Sequence, residues 1–362
     1  MIETFTLFSG FLALLSIFRE IRHKNLVFWV FTLSLIVFDG LRWQMGTDWF
    51  SYSEYFKVAE NVNLYGGFEL GFRIYTSLIR NVTNNYSIYL LITTAIIYIG
   101  IFYTVFSITN YSFISIFYLA GTIPWYSGSL RQMMASVFFT FALKATIEKK
   151  FIHFVLFIMG GLMFHVTILT FSPMYFIYGM QLIYFLLLFI ILAVLAVFSG
   201  NLIYVLDLLL GLISYNKEFV GRIGGTLEFS NPLLGFCRKF ITIGGFWFFS
   251  FMATTSTRTD WLQWQKIKFV FSLSSLSIIF YYVGTYHIDF VSSRLDIYAS
   301  ILSSSVLIGL LEKSFTNRVN KLLLYLFVVT LVTIFYARLE FMDLFHPYSS
   351  LFYNYDLNRL LY

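Results

Sequence analysis

Apolar runs about as long as a bilayer crossing, roughly 17–25 residues, alternate with short polar breaks along nearly the whole chain. The runs predict helices near 4–18, 25–41, 86–107, 113–124, 130–147, 151–165, 167–179, 181–199, 240–257, 269–287, 296–311 and 322–337. Residues 151–179 fit either one long bent helix or a short pair, and the segment "NLIYVLDLLLGLI" (201–213) fits either a span or an interfacial position. The expected architecture is all-α: a polytopic transmembrane bundle of about ten to twelve crossings. It forms a single integral membrane domain over 1–362, with two outer loops, approximately 42–85 and 200–239, that carry short interfacial helices.

The polar breaks set the direction of threading. "REIRHK" (19–24), the end of "KATIEKK" (144–150), "RTDWLQWQKIK" (258–268) and "EKSFTNRVNK" (312–321) concentrate Lys and Arg. The positive-inside rule puts them in the cytoplasm. The N-terminus, both long loops and the tail from Arg338 then lie outside. If 201–213 spans, Lys217 and Arg222 move to the cytoplasmic side. Met1–Phe18 reads as a crossing and not as a secretory leader, because its positive cluster follows the apolar run.

Composition excludes the soluble classes. The 362 residues are 59% hydrophobic and only 12% charged, against about 25% charged in a soluble domain. The net charge of +6 is spread over many loops, which points to topology and not to nucleic acid. A single Cys237 rules out an internal disulfide, and five scattered histidines offer no metal-ligand spacing. Basic residues that stay outside against this bias suggest an anionic partner there.

Four stretches carry candidate chemistry. In "RWQMGTDWFSYSEYF", Gly46 permits a turn and Asp48 suits the N-cap of a helix over Trp49–Val62. Its stripe of Tyr52, Tyr55, Phe56 and Ala59 suits the membrane surface. Asp48 reads as a cap or as a general base at the water–lipid boundary. Glu69 and Arg73, four apart, read as an i,i+4 pair or as a second acid and an anion clamp. In "PWYSGSLRQMMASVFF", Arg131 and Gln132 open a helix starting on the outer side, beside Ser127 and Ser129. Amides at such a start attract anions, and arginine grips phosphate in a bidentate manner; snorkelling is the plainer role. In "GGLMFHVTILTFSPMY", His165 sits among apolar residues, either as a neutral hydrogen-bonding group or as a functional one. In "YHIDFVSSRLDIYASI", Arg294 opens another out-to-in helix, with Tyr298 one turn on. The second loop adds the cations Lys217, Arg222, Arg238 and Lys239, suited to the anionic partner.

The ordered pieces "GTDWFSYSEYF", "FELGFRIYTSLIR", "SLRQMMASVFFTFAL", "FHVTILTFSPMYFI" and "SRLDIYA" resemble the EpsG-like group of bacterial polysaccharide polymerases, to which many Wzy-type O-antigen polymerases belong. The resemblance implies glycosyl transfer at the outer face of the cytoplasmic (inner) membrane. Oligosaccharide repeat units on undecaprenyl diphosphate serve as both donor and acceptor. It also implies no nucleotide sugar, no tightly bound cofactor and no metal, with membrane lipids, a chain-length regulator and a flippase as companions. The residues fit that chemistry. Arg42, Arg73, Arg131 and Arg294 offer charge for the leaving diphosphate, and Asp48, Glu69 or His165 offers a base. Loop aromatics offer faces for sugar rings. A polysaccharide flippase, a polyprenyl-phosphate-sugar glycosyltransferase and a glycan ligase are the rival readings. No related halves of the transporter kind are visible in the chain.

Overall fold

The computed structural model describes residues 2–43, 45, 48–62, 67–178, 232–255, 261–286 and 294–336. The expected turn at Gly46, the 181–199 crossing, the 201–213 segment, Lys217, Arg222 and the tail from Arg338 lie outside the described residues. The helices are α1 (Ile2–Phe18), α2 (Lys24–Gly40), α3 (Trp49–Val58), α4 (Leu70–Arg80), α5 (Tyr86–Ile108), α6 (Phe113–Thr122), α7 (Leu130–Ile147), α8 (Phe151–Leu162), α9 (Met174–Ile177), α10 (Pro232–Thr254), α11 (Trp261–Tyr286), α12 (Arg294–Ser314) and α13 (Arg318–Tyr336). Helix α5 contains a π turn at Ile99–Tyr103, and a 3-10 turn at Val166–Phe171 precedes α9. Among the described residues there is no β-strand. Helices α5, α12 and α13 are long and apolar enough to cross a membrane by length and composition, and several shorter apolar helices accompany them. The chain is an all-α membrane bundle, as its apolar runs imply.

Two compact units divide it, residues 1–175 with 308–362 and residues 176–307. In the first, α1 packs between α6 and α13, α2 lies along α5, and α7 joins α5 to α8. Close approach relies on small residues, since in lipid the helices gain nothing from hydrophobicity alone. Within the π turn, a Cβ on Gly100 would stand 2.4 Å from a methyl of Val137. Hydroxyls inside the bundle return to their own helix, as Thr93 donates to the Tyr89 carbonyl at 2.8 Å and Thr122 to Tyr118 at 2.7 Å. Leu7, Phe11, Leu15 and Phe18 of α1 and Leu26, Val30, Leu33 and Val37 of α2 stay exposed in stripes at helical spacing, the pattern of faces turned to lipid.

The two ends of this unit differ in charge. At one end Glu20 pairs with Lys24 at 2.9 Å, Lys313 feels both Lys24 and Lys321, and Lys144 donates to Ser107 at 3.1 Å. Buried Glu312 accepts from Ser112, the N-cap of α6. At the opposite end Thr6 meets Tyr336 at 2.6 Å, and Met45 and Trp125 form a small core with Phe38, Tyr126, Phe335 and Tyr336. The breaks at 19–24 and 312–321, with Lys144, therefore share one end.

The 151–179 stretch is a short antiparallel pair. Helix α8 has 12 residues, about 18 Å of rise, well short of the ~30 Å hydrocarbon thickness. The chain then doubles back until Tyr175 donates to the Lys149 carbonyl at 3.1 Å and its ring meets Phe151 and Phe154. The tip, Met163–His165, stops beside the middle of α7, where Phe164 stacks on Phe138 at 5.5 Å.

In the second unit α10 packs on α11, and α11 on the π turn of α12. Lys239 of α10, buried, donates to Asp296 and Ser300 of α12.

Candidate functional site

The stretch expected to form the first outer loop turns its apolar stripe into the protein. Helix α3 ends at Val58, one turn before the expected Val62, and its stripe of Tyr52, Tyr55, Phe56 and Ala59 is buried in protein. Tyr52 and Tyr55 face Phe68 and Phe72, while Trp49 and Phe56 face Tyr86 and Tyr89 of α5. Helix α4 lies along the same face of α5, with Tyr75 bonded to Thr93 at 2.8 Å and Thr76 to Tyr89 at 3.2 Å. An apolar stripe is satisfied equally by lipid or by another apolar helix, and packing supplied the second. Trp49, Tyr52 and Tyr55 are turned inward, whereas Trp43 and Phe68 are partly exposed and Phe50 is exposed.

The start of α4 is anchored to the hairpin tip. The Gly71 and Phe72 amides both donate to the Met163 carbonyl, at 2.9 and 3.3 Å. No side chain fits at Gly71, since a Cβ there would stand 2.6 Å from the Met163 Cβ. Amides of a helix start that would attract an anion are thus satisfied from within the protein. Glu69, at the N-cap position of α4, makes no capping bond.

Its carboxylate goes elsewhere. Arg131, in the first turn of α7, donates to Glu69 Oε2 at 2.6 Å, with both side chains about a quarter exposed. The guanidinium lies 4.5 Å from the Phe68 ring centroid, a cation–π contact. It also reaches Tyr52, whose phenol is raised by burial and by Asp48, with Arg131 pulling it back. Glu69 therefore pairs with Arg131 and not with Arg73, as an i,i+4 reading would have it. Arg73 donates to the Val62 carbonyl at 3.1 Å and acts on Tyr55. Asp48 occupies the N-cap position of α3 without a side-chain capping bond, which corrects the capping expectation. Its carbonyl accepts from the Tyr52 amide at 3.0 Å.

The remaining candidates of this unit are built into the frame. Arg42 is only 3% exposed. It forms a salt bridge with Asp39 at 3.1 Å and donates to the Ser127 carbonyl at 2.7 Å, tying the end of α2 to the turn before α7. Ser127 donates to the Pro124 carbonyl at 2.6 Å, and Gln132 is buried. Buried His165 is the N-cap of the 3-10 turn, its Nδ1 accepting from the Thr167 amide at 3.3 Å and lying 2.8 Å from the Thr167 hydroxyl. In the second unit Arg294 and Arg238 are half-buried, Tyr298 is fully buried, and Lys239 is held by Asp296.

Sequence reasoning missed Asp39, Tyr52, Phe68 and Asp296 as partners. Asp39 had a signal, a carboxylate inside an apolar run three residues from Arg42. Tyr52 and Phe68 had none, because aromatics are abundant throughout the chain. Among the described residues no cluster of His, Cys, Asp and Glu could hold a metal ion.

The geometry thus brings Asp48, Tyr52, Phe68, Glu69 and Arg131 together at the end of the bundle away from Lys24, Lys313 and Lys321, with Arg73 on the flank. A cation stacked on an aromatic ring, bonded to a carboxylate and partly open to solvent, can receive an anion. A nearby carboxylate not used for capping can take a proton. No curated protein and no solved structure matches the chain. A family model described as the EpsG family matches residues 25–356, nearly all of it.

Proposed function

The chain belongs to the EpsG family, whose members are Wzy-type polymerases, and from that premise we propose that it polymerises lipid-diphosphate-linked glycan repeat units at the extracytoplasmic face of the cytoplasmic membrane. The observation that carries this reading is the partly exposed Arg131, seated on Phe68 and paired with Glu69. In the proposed step a hydroxyl at the non-reducing end of the acceptor unit attacks the anomeric carbon of the donor glycan. The C–O bond to the lipid diphosphate breaks, the diphosphate leaves with the bonding electrons, and the hydroxyl proton passes to a base. Arg131, with Arg73 on the flank, meets the charge developing on the leaving group. Asp48 is the best-placed base, since its carboxylate does not cap α3 and acts on Tyr52 beside Arg131. Phe68 and Trp43 offer the aromatic faces for sugars. Arg42 and His165 support the frame, Arg42 by fixing the approach to α7 and His165 by capping the turn at the hairpin tip.

The test is to supply the purified protein in lipid nanodiscs with a defined undecaprenyl-diphosphate repeat unit. Dimers and longer products are expected, and Arg131→Gln, folded and inserted, makes none. Absence of product from every donor, together with lipid-linked sugar crossing protein-loaded vesicles, would establish the flippase reading instead.

A further inference from the structure

We infer that Glu69 is a built-in substitute for the diphosphate: it holds the Arg131 guanidinium in the unliganded site and, by returning to it, drives off the lipid diphosphate left after glycosyl transfer. The inference rests on the polymerase reading above and adds a positioning role for a residue that spacing alone marks as an acid or as a partner of Arg73.

Three observations carry it. The dipeptide Phe68–Glu69 grips Arg131 from two sides, the ring at 4.5 Å and the carboxylate at 2.6 Å. A carboxylate bonded to a guanidinium takes the place a phosphate oxygen would take. Second, Glu69 can leave without unravelling its helix. It makes no capping bond, and the Gly71 and Phe72 amides are held by the Met163 carbonyl instead. Third, the charges in the cluster cancel, Asp48 and Glu69 against Arg73 and Arg131. A lipid diphosphate entering a neutral site brings uncompensated charge, whereas with Glu69 swung away the site is positive. The free diphosphate is the stronger ligand once its glycan has departed, since its terminal phosphate then carries an extra ionisable oxygen. A competing carboxylate keeps that product from blocking the site.

The pair is only about three-quarters buried, so its displacement weakens any anion at Arg131 by about fivefold. Glu69→Gln therefore lowers the inhibition constant of added undecaprenyl diphosphate about fivefold and slows steady-state turnover. At limiting donor the first glycosidic bond in a single turnover forms faster than in the wild type, because the same carboxylate competes with the donor diphosphate. Glu69→Asp, which keeps the charge on a shorter arm, gives intermediate inhibition and restores turnover. That variant also tests the idea if Glu69→Gln proves unstable by thermal melting. Unchanged or weaker product inhibition in Glu69→Gln overturns the substitution idea, as does loss of the single turnover, which would make Glu69 the base. A wild-type protein that neither binds undecaprenyl diphosphate nor forms any product fails at the earlier step, and the polymerase reading falls with it.

Discussion

Replacing Gly71 by alanine probes how the site is held in register. An added Cβ would stand 2.6 Å from the Met163 Cβ and 2.8 Å from its carbonyl oxygen, where ordinary contact begins near 3.4 Å. The start of α4 must retreat by roughly 0.8 Å, because both neighbours belong to the backbone or its first side-chain carbon. Retreat lengthens the Gly71 and Phe72 bonds to the Met163 carbonyl from 2.9 and 3.3 Å beyond useful range. Two backbone bonds at about 1 kcal/mol each and about 1–3 kcal/mol of overpacking oppose a gain of about 1 kcal/mol in helix propensity. The net loss is about 2–4 kcal/mol, several degrees in a thermal melt of the purified protein. Function suffers more than stability. Phe68, the ring on which Arg131 is seated, lies three residues upstream, and a displacement near 1 Å in a positioned group costs up to about 100-fold in rate. Gly244→Ala is the matched control, since nothing lies within 4 Å of its added Cβ. It should change stability by no more than about 1 kcal/mol and leave polymer length untouched. A Gly71→Ala protein with wild-type melting and a full-length glycan ladder would refute the anchoring of α4 by the hairpin tip.

Three further outcomes follow from the site. Removing one member of the buried Asp39–Arg42 pair, as in Asp39→Leu or Arg42→Met, should destabilise the protein by about 3–5 kcal/mol, while the double replacement is markedly milder; a thermal-melt cycle of the three variants measures this. Asp48→Asn should alter stability by less than about 0.5 kcal/mol, because no capping bond is lost, yet abolish polymer on a glycan gel. His165→Asn, which keeps a side-chain cap, should retain activity where His165→Ala loses about 1 kcal/mol of stability; inactivity of a stable His165→Asn would return the histidine to the chemistry.

The sequence by itself determined most of the described helices and which of their ends lie together in the first unit. A run of apolar residues as long as a bilayer is thick has one economical conformation in lipid, because every amide and carbonyl must be satisfied within the segment. The lysine and arginine breaks then set which ends lie together, and Lys24, Lys313 and Lys321 do share one end. Candidate residues were legible too, since ionisable groups in so apolar a chain stand out. Their roles were not. Tertiary packing turned the α3 stripe into protein instead of lipid, a choice to which local apolarity is blind. It bent 151–178 into a hairpin whose tip carbonyl, Met163, takes the first amides of α4, and it left Asp48 without the capping bond expected of it. It also joined Glu69 to Arg131 across 62 positions of chain in preference to Arg73 four residues away. Spacing along a helix only makes a pair possible. Which cation a carboxylate meets is decided by the helices that stand opposite it, and that is a property of the packed bundle.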